Sequence, residues 1–417
     1  MLQVNNLKNH TAEYRYKGQN CRINVREEIL SFRKNNLPPD RFADADMNKT
    51  QPDMKKQLII LAISLFLTLS VSAASPAGER DSIINDGPYF FLSDDTLRVM
   101  WIENNILQKG NILRGRKSEL TVPGGLPGKY ADLIKTFRIK PDFQQRYKSI
   151  DSIAIISDLH GNYVTYLNQL AANGIIDKEL NWKFGKGHLV FLGDALDRGG
   201  QVTEILWHLF KIEKQAAKKG GRVHFILGNH ELMVLAGDLR YIHEKYRKVE
   251  TIAGISYTDL YSENSVLGRW LRSKPVMITI NNILFVHAGV SPELVQKGMK
   301  IEQINQLFYE RIVGKDIDPD LENENVNLLI GNDGPVWYRG YFADTTLNTT
   351  SLDSILGFYG KEHLVVGHTP QKTILTLFGN KVIGVDTGMG YGQPGNMLIY
   401  KNGRFYKGSK TGVRTEL

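Results

Sequence analysis

Five apolar runs in this chain end in the same way, and that repetition constrains the fold more than any other feature. Ile153-Ala154-Ile155-Ile156 leads into Ser157-Asp158-Leu159-His160-Gly161-Asn162, and Val190-Phe191-Leu192 into Gly193-Asp194-Ala195-Leu196-Asp197-Arg198-Gly199. Val223-His224-Phe225-Ile226-Leu227 leads into Gly228-Asn229-His230-Glu231. Leu284-Phe285-Val286 ends in His287-Ala288-Gly289, and Leu364-Val365-Val366 in Gly367-His368-Thr369. A short apolar run bounded by glycine reads as a buried strand. Ligands of open α/β sheets sit beyond the C-terminal ends of such strands. The five strand ends therefore deliver Asp, His and Asn to one edge, a pattern that a site with several metal ligands explains.

The segments between the runs have the other period. Residues 163–173 place Leu167, Leu170 and Ala171 at helical spacing, and 202–217 gather Ile205, Leu206, Leu209, Phe210 and Ile212 on one side. Strand–helix alternation predicts an α/β fold of βαβ units. Residues 75–149 carry the short runs 89–92 and 97–102 around Asp94-Asp95, and are expected as a β-rich extension packed on a catalytic domain at 150–408. Residues 235–275 are more polar and aromatic, fall between two motif strands, and are expected as a helical cap beside the site. Tyr241, Tyr246, Tyr257 and Tyr261 in that cap are candidates to line a pocket, although packing is the commoner use of tyrosine. The basic end of the chain (Lys401, Arg404, Lys407, Lys410, Arg414), with 409–417 as a tail, reads as solvated.

A different text opens at Met54. Lys55 and Lys56 precede an apolar run over 58–69, followed by Ser70-Val71-Ser72-Ala73-Ala74. A positive start, a short apolar centre and a small-residue exit describe a secretory signal peptide over 54–74. The run is shorter than the ~20 residues a spanning helix needs. Translation is then expected to start at Met54, with 1–53 a mis-called upstream extension. The mature protein is expected to be exported, periplasmic or secreted from a bacterium, and to meet a membrane only through this segment. An uncleaved anchor is the alternative. Of the net charge of +8, +4 belongs to residues 1–73. The mature chain is thus mildly basic, which weakly suits an anionic substrate and gives no ground for nucleic-acid binding. The only cysteine, Cys21, lies upstream of the signal.

Carboxylate, imidazole and amide oxygen suit two divalent ions such as Mn, Fe or Zn, and Mg as well. A pair of ions about 3.5–4 Å apart activates a water and clamps both oxygens of a phosphoryl transfer. Taken in order, Asp158-x-His160-Gly161, Gly193-Asp194-x-x-Asp197-Arg198-Gly199, Gly228-Asn229-His230-Glu231, His287 and Gly367-His368 resemble the calcineurin-like metallophosphoesterases over about residues 150–390. Within these they resemble the phosphoprotein phosphatase branch. Gly334-Pro335-Val336-Trp337-Tyr338-Arg339 and the secretion signal look most like the bacterial Shewanella-like phosphatases. The resemblance implies a central mixed β-sandwich flanked by helices. It also implies hydrolysis of a phosphomonoester by a hydroxide bridging two ions, with no phospho-enzyme. In that scheme Asp158 and His160 hold the first ion, Asp194 bridges both, and Asn229, His287 and His368 complete the second. His230 is the general acid, Asp197 orients it, and Arg198 forks the phosphate oxygens. Asn229 and Arg339 also face the phosphate. For Arg339, a surface ion pair beside core aromatics is the level alternative. Asn162 is a weaker candidate.

Three positions depart from the family pattern. Pro370 stands where many members carry a second histidine for the first ion, an arrangement shared with symmetric dinucleotide-polyphosphate hydrolases. Ser157 and Ala288 stand where glycine is usual, which argues against a eukaryotic-type Ser/Thr substrate groove. The expected substrate is a phosphorylated small molecule or a phosphoprotein. The alternatives are a dinucleotide polyphosphate or other phosphoanhydride, or a metal-containing phosphate-ligand binding protein without turnover. His188, His208, His224, His243 and His363 fall outside the motifs and read as structural or surface residues. Asp333 and Asp386 lie in glycine-rich turns, where carboxylates cap backbone amides, and stay outside the catalytic set.

Overall fold

The computed structural model describes residues 11–16, 19–24, 83–93, 96–113, 130–317, 323–343 and 347–417. The chain divides into two units, Met1–Arg80 and Asp81–Leu417. In the first, β1 (Thr11–Tyr16) and β2 (Gln19–Asn24) pair antiparallel, inside a polar stretch that has no sustained period. The expected signal segment 54–74 lies outside the described residues.

The second unit begins with an antiparallel sheet of β3 (Asp86–Ser93), β4 (Thr96–Glu103) and β5 (Ile106–Leu113). The strands that follow are β6 (Arg146–Tyr147), β7 (Ser152–Ile156), β8 (His188–Phe191), β9 (Arg222–Phe225), β10 (Met277–Ile280) and β11 (Ile283–Val286). They continue with β12 (His363–Val366), β13 (Leu375–Leu377), β14 (Val382–Gly384), β15 (Met397–Lys401), β16 (Arg404–Gly408) and β17 (Arg414–Glu416). These form two six-stranded sheets, ordered β13-β14-β12-β11-β10-β6 and β17-β16-β15-β7-β8-β9. Strands β7, β8 and β9 are parallel, as are β11, β12 and β14.

All residues of β8, β10 and β11 are buried, which is why their sequences are continuous rather than alternating apolar runs. Successive residues nevertheless divide between two faces. Ile153, Ile155, Val190 and Leu192 pack with Ile278, Ile283, Phe285, Val365 and Ile383 between the sheets. Ala154, Ile156, Leu189 and Phe191 join the cluster that holds Leu206, Leu209 and Phe210 of helix Val202–Lys218. The chain is therefore an α/β protein with a mixed β-sandwich flanked by helices.

Residues 235–275 hold the helices Glu244–Ala253, Tyr257–Leu260 and Val266–Arg272, each opened by a side-chain cap from His243, Ser256 or Ser265. The N-terminal sheet docks on this part of the molecule, where Leu92 N–H donates to the Asn264 carbonyl at 2.8 Å, and on helix Val202–Lys218. Phe90 meets Trp207 edge-on at 5.6 Å, and Trp207 Nε1 donates to the Pro88 carbonyl at 2.8 Å. The end of the chain corrects one expectation. Residues 409–417 are not a free tail, because β17 pairs with β16 and Arg414 donates to the Asn173 carbonyl at 3.2 Å. The pairing gives partners to backbone groups of β16 that would otherwise form a sheet edge.

Candidate metal centre

The motif residues stand on the loops that leave the strands. β7 is followed by Asp158 and His160, β8 by Asp194, Asp197 and Arg198, β11 by His287 and β12 by His368. After β9, Asn229 and His230 open the helix Asn229–Leu235. Three of the loops come from one sheet and two from the other, so the donors gather where two parallel blocks face each other. Asp158, His160, Asp194, Asp197, Arg198 and His368 all have left-handed backbone, with φ from 44° to 69°. Such residues cost roughly 1 kcal/mol or more each and persist only where their surroundings hold them.

Glu231 is one such holder. Its buried carboxylate accepts from the N–H groups of Asp194 (2.9 Å), Ala195 (2.8 Å), Leu196 (3.2 Å) and Gly228 (2.8 Å). The motif glycines are required by close approach. A Cβ on Gly193 would stand 2.6 Å from the Gly228 nitrogen and 2.8 Å from His287 Nδ1, and one on Gly228 would strike the Asp194 carboxylate.

Asp194 is the centre of the donor set. Its Oδ2 lies 3.4 Å from His287 Nε2, 3.6 Å from His160 Nε2 and 4.0 Å from His230 Nε2. His287 Nε2 is also 3.0 Å from Asn229 Oδ1 and 3.2 Å from His368 Nδ1. Two triads result, His160–Asp194–His230 and Asp194–His287–His368. The Nδ1 atoms of His160 and His287 meet the carbonyls of Leu196 (2.9 Å) and Leu192 (2.7 Å). A carbonyl only accepts, so these nitrogens carry a proton and each ring turns its Nε2 toward Asp194. His368 Nε2 is buried without a hydrogen-bond partner. Asp158 lies in the same cavity but outside both triads. One of its oxygens accepts from the Ser157 hydroxyl and from His368 N–H at 3.1 Å.

The electrostatics point the same way. Burial pushes His160 down to about 3. Burial, helped by His287, pushes His368 to about 2. Burial would lower His287 too, but the Asp194 carboxylate outweighs it and lifts that imidazole to about 10. Burial raises Asp158, with Asp386 adding to it, and raises Asp386 to about 6. His160 and His368 are thus held neutral and the Asp158 and Asp386 carboxyls resist ionisation, while the proton on His287 is held by the ionised Asp194. A divalent cation beside Asp194 would take the place of that proton and satisfy the set. The residues present fit such ions.

Beside the triads, His230 Nδ1 is 2.6 Å from Asp197 Oδ2 and its Nε2 is 3.2 Å from an Arg198 nitrogen. Burial lowers this imidazole, yet Asp194 and Asp197 prevail and hold it above the ordinary range. Arg339 stands at the mouth, donating to the His368 carbonyl at 3.1 Å and to Thr369 Oγ1 at 3.2 Å. The cavity of about 130 Å³ is also lined by Tyr241, Trp337, Asp386 and Tyr391.

Some of these residues were not legible as site residues. Asp386 does cap a turn, accepting from Gly388 N–H at 3.0 Å, and it faces the cavity as well. The Tyr391 ring lies 4.7 Å from the Arg198 guanidinium, and nothing marks it except the glycines around it. Of the four cap tyrosines only Tyr241 reaches the site, 5.4 Å from the His230 ring, while Tyr246, Tyr257 and Tyr261 are fully buried. Asn162 caps helix Tyr163–Ala172. The remaining histidines have other partners: His208 with Tyr166 and Leu180, His188 with His224, His363 with Asn380, and His243 at a helix cap.

Residues 152–372 match the family described as Calcineurin-like phosphoesterase. The crystal structure of a cold-active protein-tyrosine phosphatase of a psychrophile, Shewanella sp., is 36% identical with a TM-score of 0.73, covering 80% of this chain and 99% of that one. Shewanella-like protein phosphatase 1 of Plasmodium berghei is 28% identical over 277 residues, 63% of this chain and 75% of its own. Shewanella-like protein phosphatase 2 of Arabidopsis thaliana is 24% identical over 298 residues, 60% of this chain and 74% of its own. With its motifs gathered where the two sheets of the sandwich meet and these relatives beside it, the chain belongs to the calcineurin-like phosphoesterase family and is a phosphoric ester hydrolase.

Proposed function

We propose that this phosphatase acts on aryl phosphomonoesters, phosphotyrosine in proteins foremost, and that it does so after export. The observation that carries the reading is one small cavity holding both donor triads and the His230–Asp197 pair, with two half-exposed tyrosines at its mouth. When bound, two divalent ions supply an activated water and a positive clamp on the phosphoryl group. Asp158 and His160 would hold the first, Asp194 both, and Asn229, His287 and His368 the second. Arg198 grips phosphate oxygens as a fork, with Arg339 and the Asn229 amide on other walls. His230 Nε2 gives its proton to the leaving oxygen, and Asp197 keeps that imidazole charged and aimed.

A cavity of about 130 Å³ is small beside the roughly 300–1,000 Å³ of ligand pockets, which suits a phosphoryl group. The leaving group therefore stays at the mouth, where the faces of Tyr241 and Tyr391 suit an aromatic ring. The protein-tyrosine phosphatase among the solved relatives and the protein phosphatases among the sequence relatives support the same substrate class. Export is supported by residues 54–74 as a sequence, and N-terminal sequencing of the exported protein is expected to begin near Ser75.

The test is metal add-back. Chelated protein is expected to regain aryl phosphate hydrolysis with Mn, Fe or Zn at about two ions per chain. Asp194→Asn and His230→Ala are each expected to lower turnover by orders of magnitude with the fold intact. Near-wild-type turnover in Asp194→Asn would rule out the bridging role. A phosphotyrosine peptide is expected to outrun a phosphoserine peptide and diadenosine tetraphosphate, and a preference for the last would replace the ester reading with an anhydride one.

A further inference from the structure

Asp197 and Arg198 stand on a loop whose own sequence does little to hold it. Both have left-handed backbone, with φ of 69° and 63°, and two glycines follow. Part of the restraint comes from neighbouring loops, where Gln201 N–H donates to the Gly161 carbonyl at 3.2 Å and His230 Nδ1 meets Asp197 at 2.6 Å, and part from the helical insertion. Arg198 N–H donates to the Tyr241 carbonyl at 2.8 Å. The Gly200 carbonyl accepts from Lys245 Nζ at 2.8 Å and from the Tyr246 hydroxyl at 3.3 Å. The same hydroxyl accepts from Val202 N–H at 2.8 Å, where the next helix begins. Lys245 is fixed in turn from the N-terminal sheet. Its Nζ lies 2.9 Å from Asp86 Oδ1, an ion contact with a fully buried carboxylate at the start of β3. The other Asp86 oxygen accepts from the Tyr89 hydroxyl, and Glu204 lies 3.6 Å from the same ammonium. A sheet with no residue in the cavity thus reaches the catalytic loop through two contacts.

We propose that Lys245, held by Asp86, is a positioning residue for Asp197. The proposal rests on the reading of His230–Asp197 as the acid pair. An ammonium bonded to the Gly200 carbonyl is a charge-assisted hydrogen bond, and its loss lets a left-handed pair relax that only its surroundings maintain. Displacement of a catalytic group by about 1 Å costs on the order of a hundredfold in rate. A purely structural ion pair, cementing sheet to insertion, would instead change the amount of folded enzyme and affect every substrate alike.

Leaving-group dependence separates the two. Phenyl phosphate needs a proton on its departing oxygen more than p-nitrophenyl phosphate does. The double variant Asp86→Asn/Lys245→Met removes both charges, so neither is left buried alone. In the metal-loaded full chain it is expected to lose about tenfold in kcat/KM on phenyl phosphate and about threefold or less on p-nitrophenyl phosphate. Tyr246→Phe, a smaller change, is expected to shift the ratio in the same direction. The ratio is taken on one preparation and is independent of the folded fraction. Equal losses on both substrates, or no loss, overturn the proposal. His230→Ala run alongside keeps the parent reading distinct. If it shows no leaving-group dependence, the acid assignment fails and the positioning role with it; if it does and the two variants do not, only the positioning role fails.

Discussion

At the scale of single residues, Glu231 lies outside both donor triads and yet four amide protons converge on it. Gln at this position would turn an NH₂ toward N–H groups and leave at least one buried donor without a partner. Glu231→Gln is expected to lower the unfolding free energy by about 2 kcal/mol and metal affinity by roughly 10–100-fold, read by denaturant melts and metal titration. An unchanged titration would mean that the Asp194 loop is held by something else. Tyr241 asks the opposite question, since it is half exposed and touches the site only at its rim. Removing one aromatic contact is worth roughly 0.5–1.5 kcal/mol. Tyr241→Ala is therefore expected to raise KM for a phosphotyrosine peptide several-fold while leaving inhibition by inorganic phosphate unchanged. If phosphate inhibition weakens equally, the tyrosine shapes the phosphate cavity rather than the ring site.

At the scale of elements, helix Val202–Lys218 carries the Asp197–Arg198 loop on its N-terminus and a buried histidine on its inner face. His208 Nε2 meets the Leu180 carbonyl at 3.0 Å and its Nδ1 meets the Tyr166 hydroxyl at 2.8 Å. The carbonyl fixes a proton on Nε2, and burial pushes the ring down to about 4, so it is neutral near pH 7. In the unfolded chain it protonates near pH 6.5, so the unfolded state binds the proton first. The stability this group contributes is full above about pH 6.5 and is lost as pH falls toward 4, at up to about 1.4 kcal/mol per unit. His208→Gln is expected to flatten the pH dependence of the denaturation midpoint between 6.5 and 4, and an unaltered slope would assign the loss to other groups. The strand ends were legible in the sequence because apolar run, glycine and donor occur together five times. The elements that complete the site were less so. A turn aspartate such as Asp386 reads the same whether or not its second oxygen faces a cavity, and β17 alternates charged residues that carry no burial signal. Glu231 sits in a recognised motif, but its reach to the Asp194 loop is a tertiary fact.

At the scale of the molecule, the donors belong to both sheets. Asp158, Asp194 and Asn229 follow strands of one, and His287 and His368 follow strands of the other. Ions held by this set would join the two halves of the sandwich at the edge where five loops, several of them in left-handed backbone, converge. Binding to the folded state alone stabilises it by about 2.7 kcal/mol per ion at a hundred times the dissociation constant, and a domain of this kind shifts by roughly 2–4 °C per kcal/mol. Chelation is therefore expected to lower Tm by about 5–10 °C for each ion removed, and His287→Ala, which leaves the Asp194–His287–His368 triad incomplete, to abolish about half of the metal-dependent shift. Cys21 is the only cysteine, so no disulfide within the chain can mimic the effect. A Tm indifferent to metal in the wild-type protein would mean that the cluster around Asp194 is satisfied by protons alone, and the two-ion reading of the site would have to be abandoned.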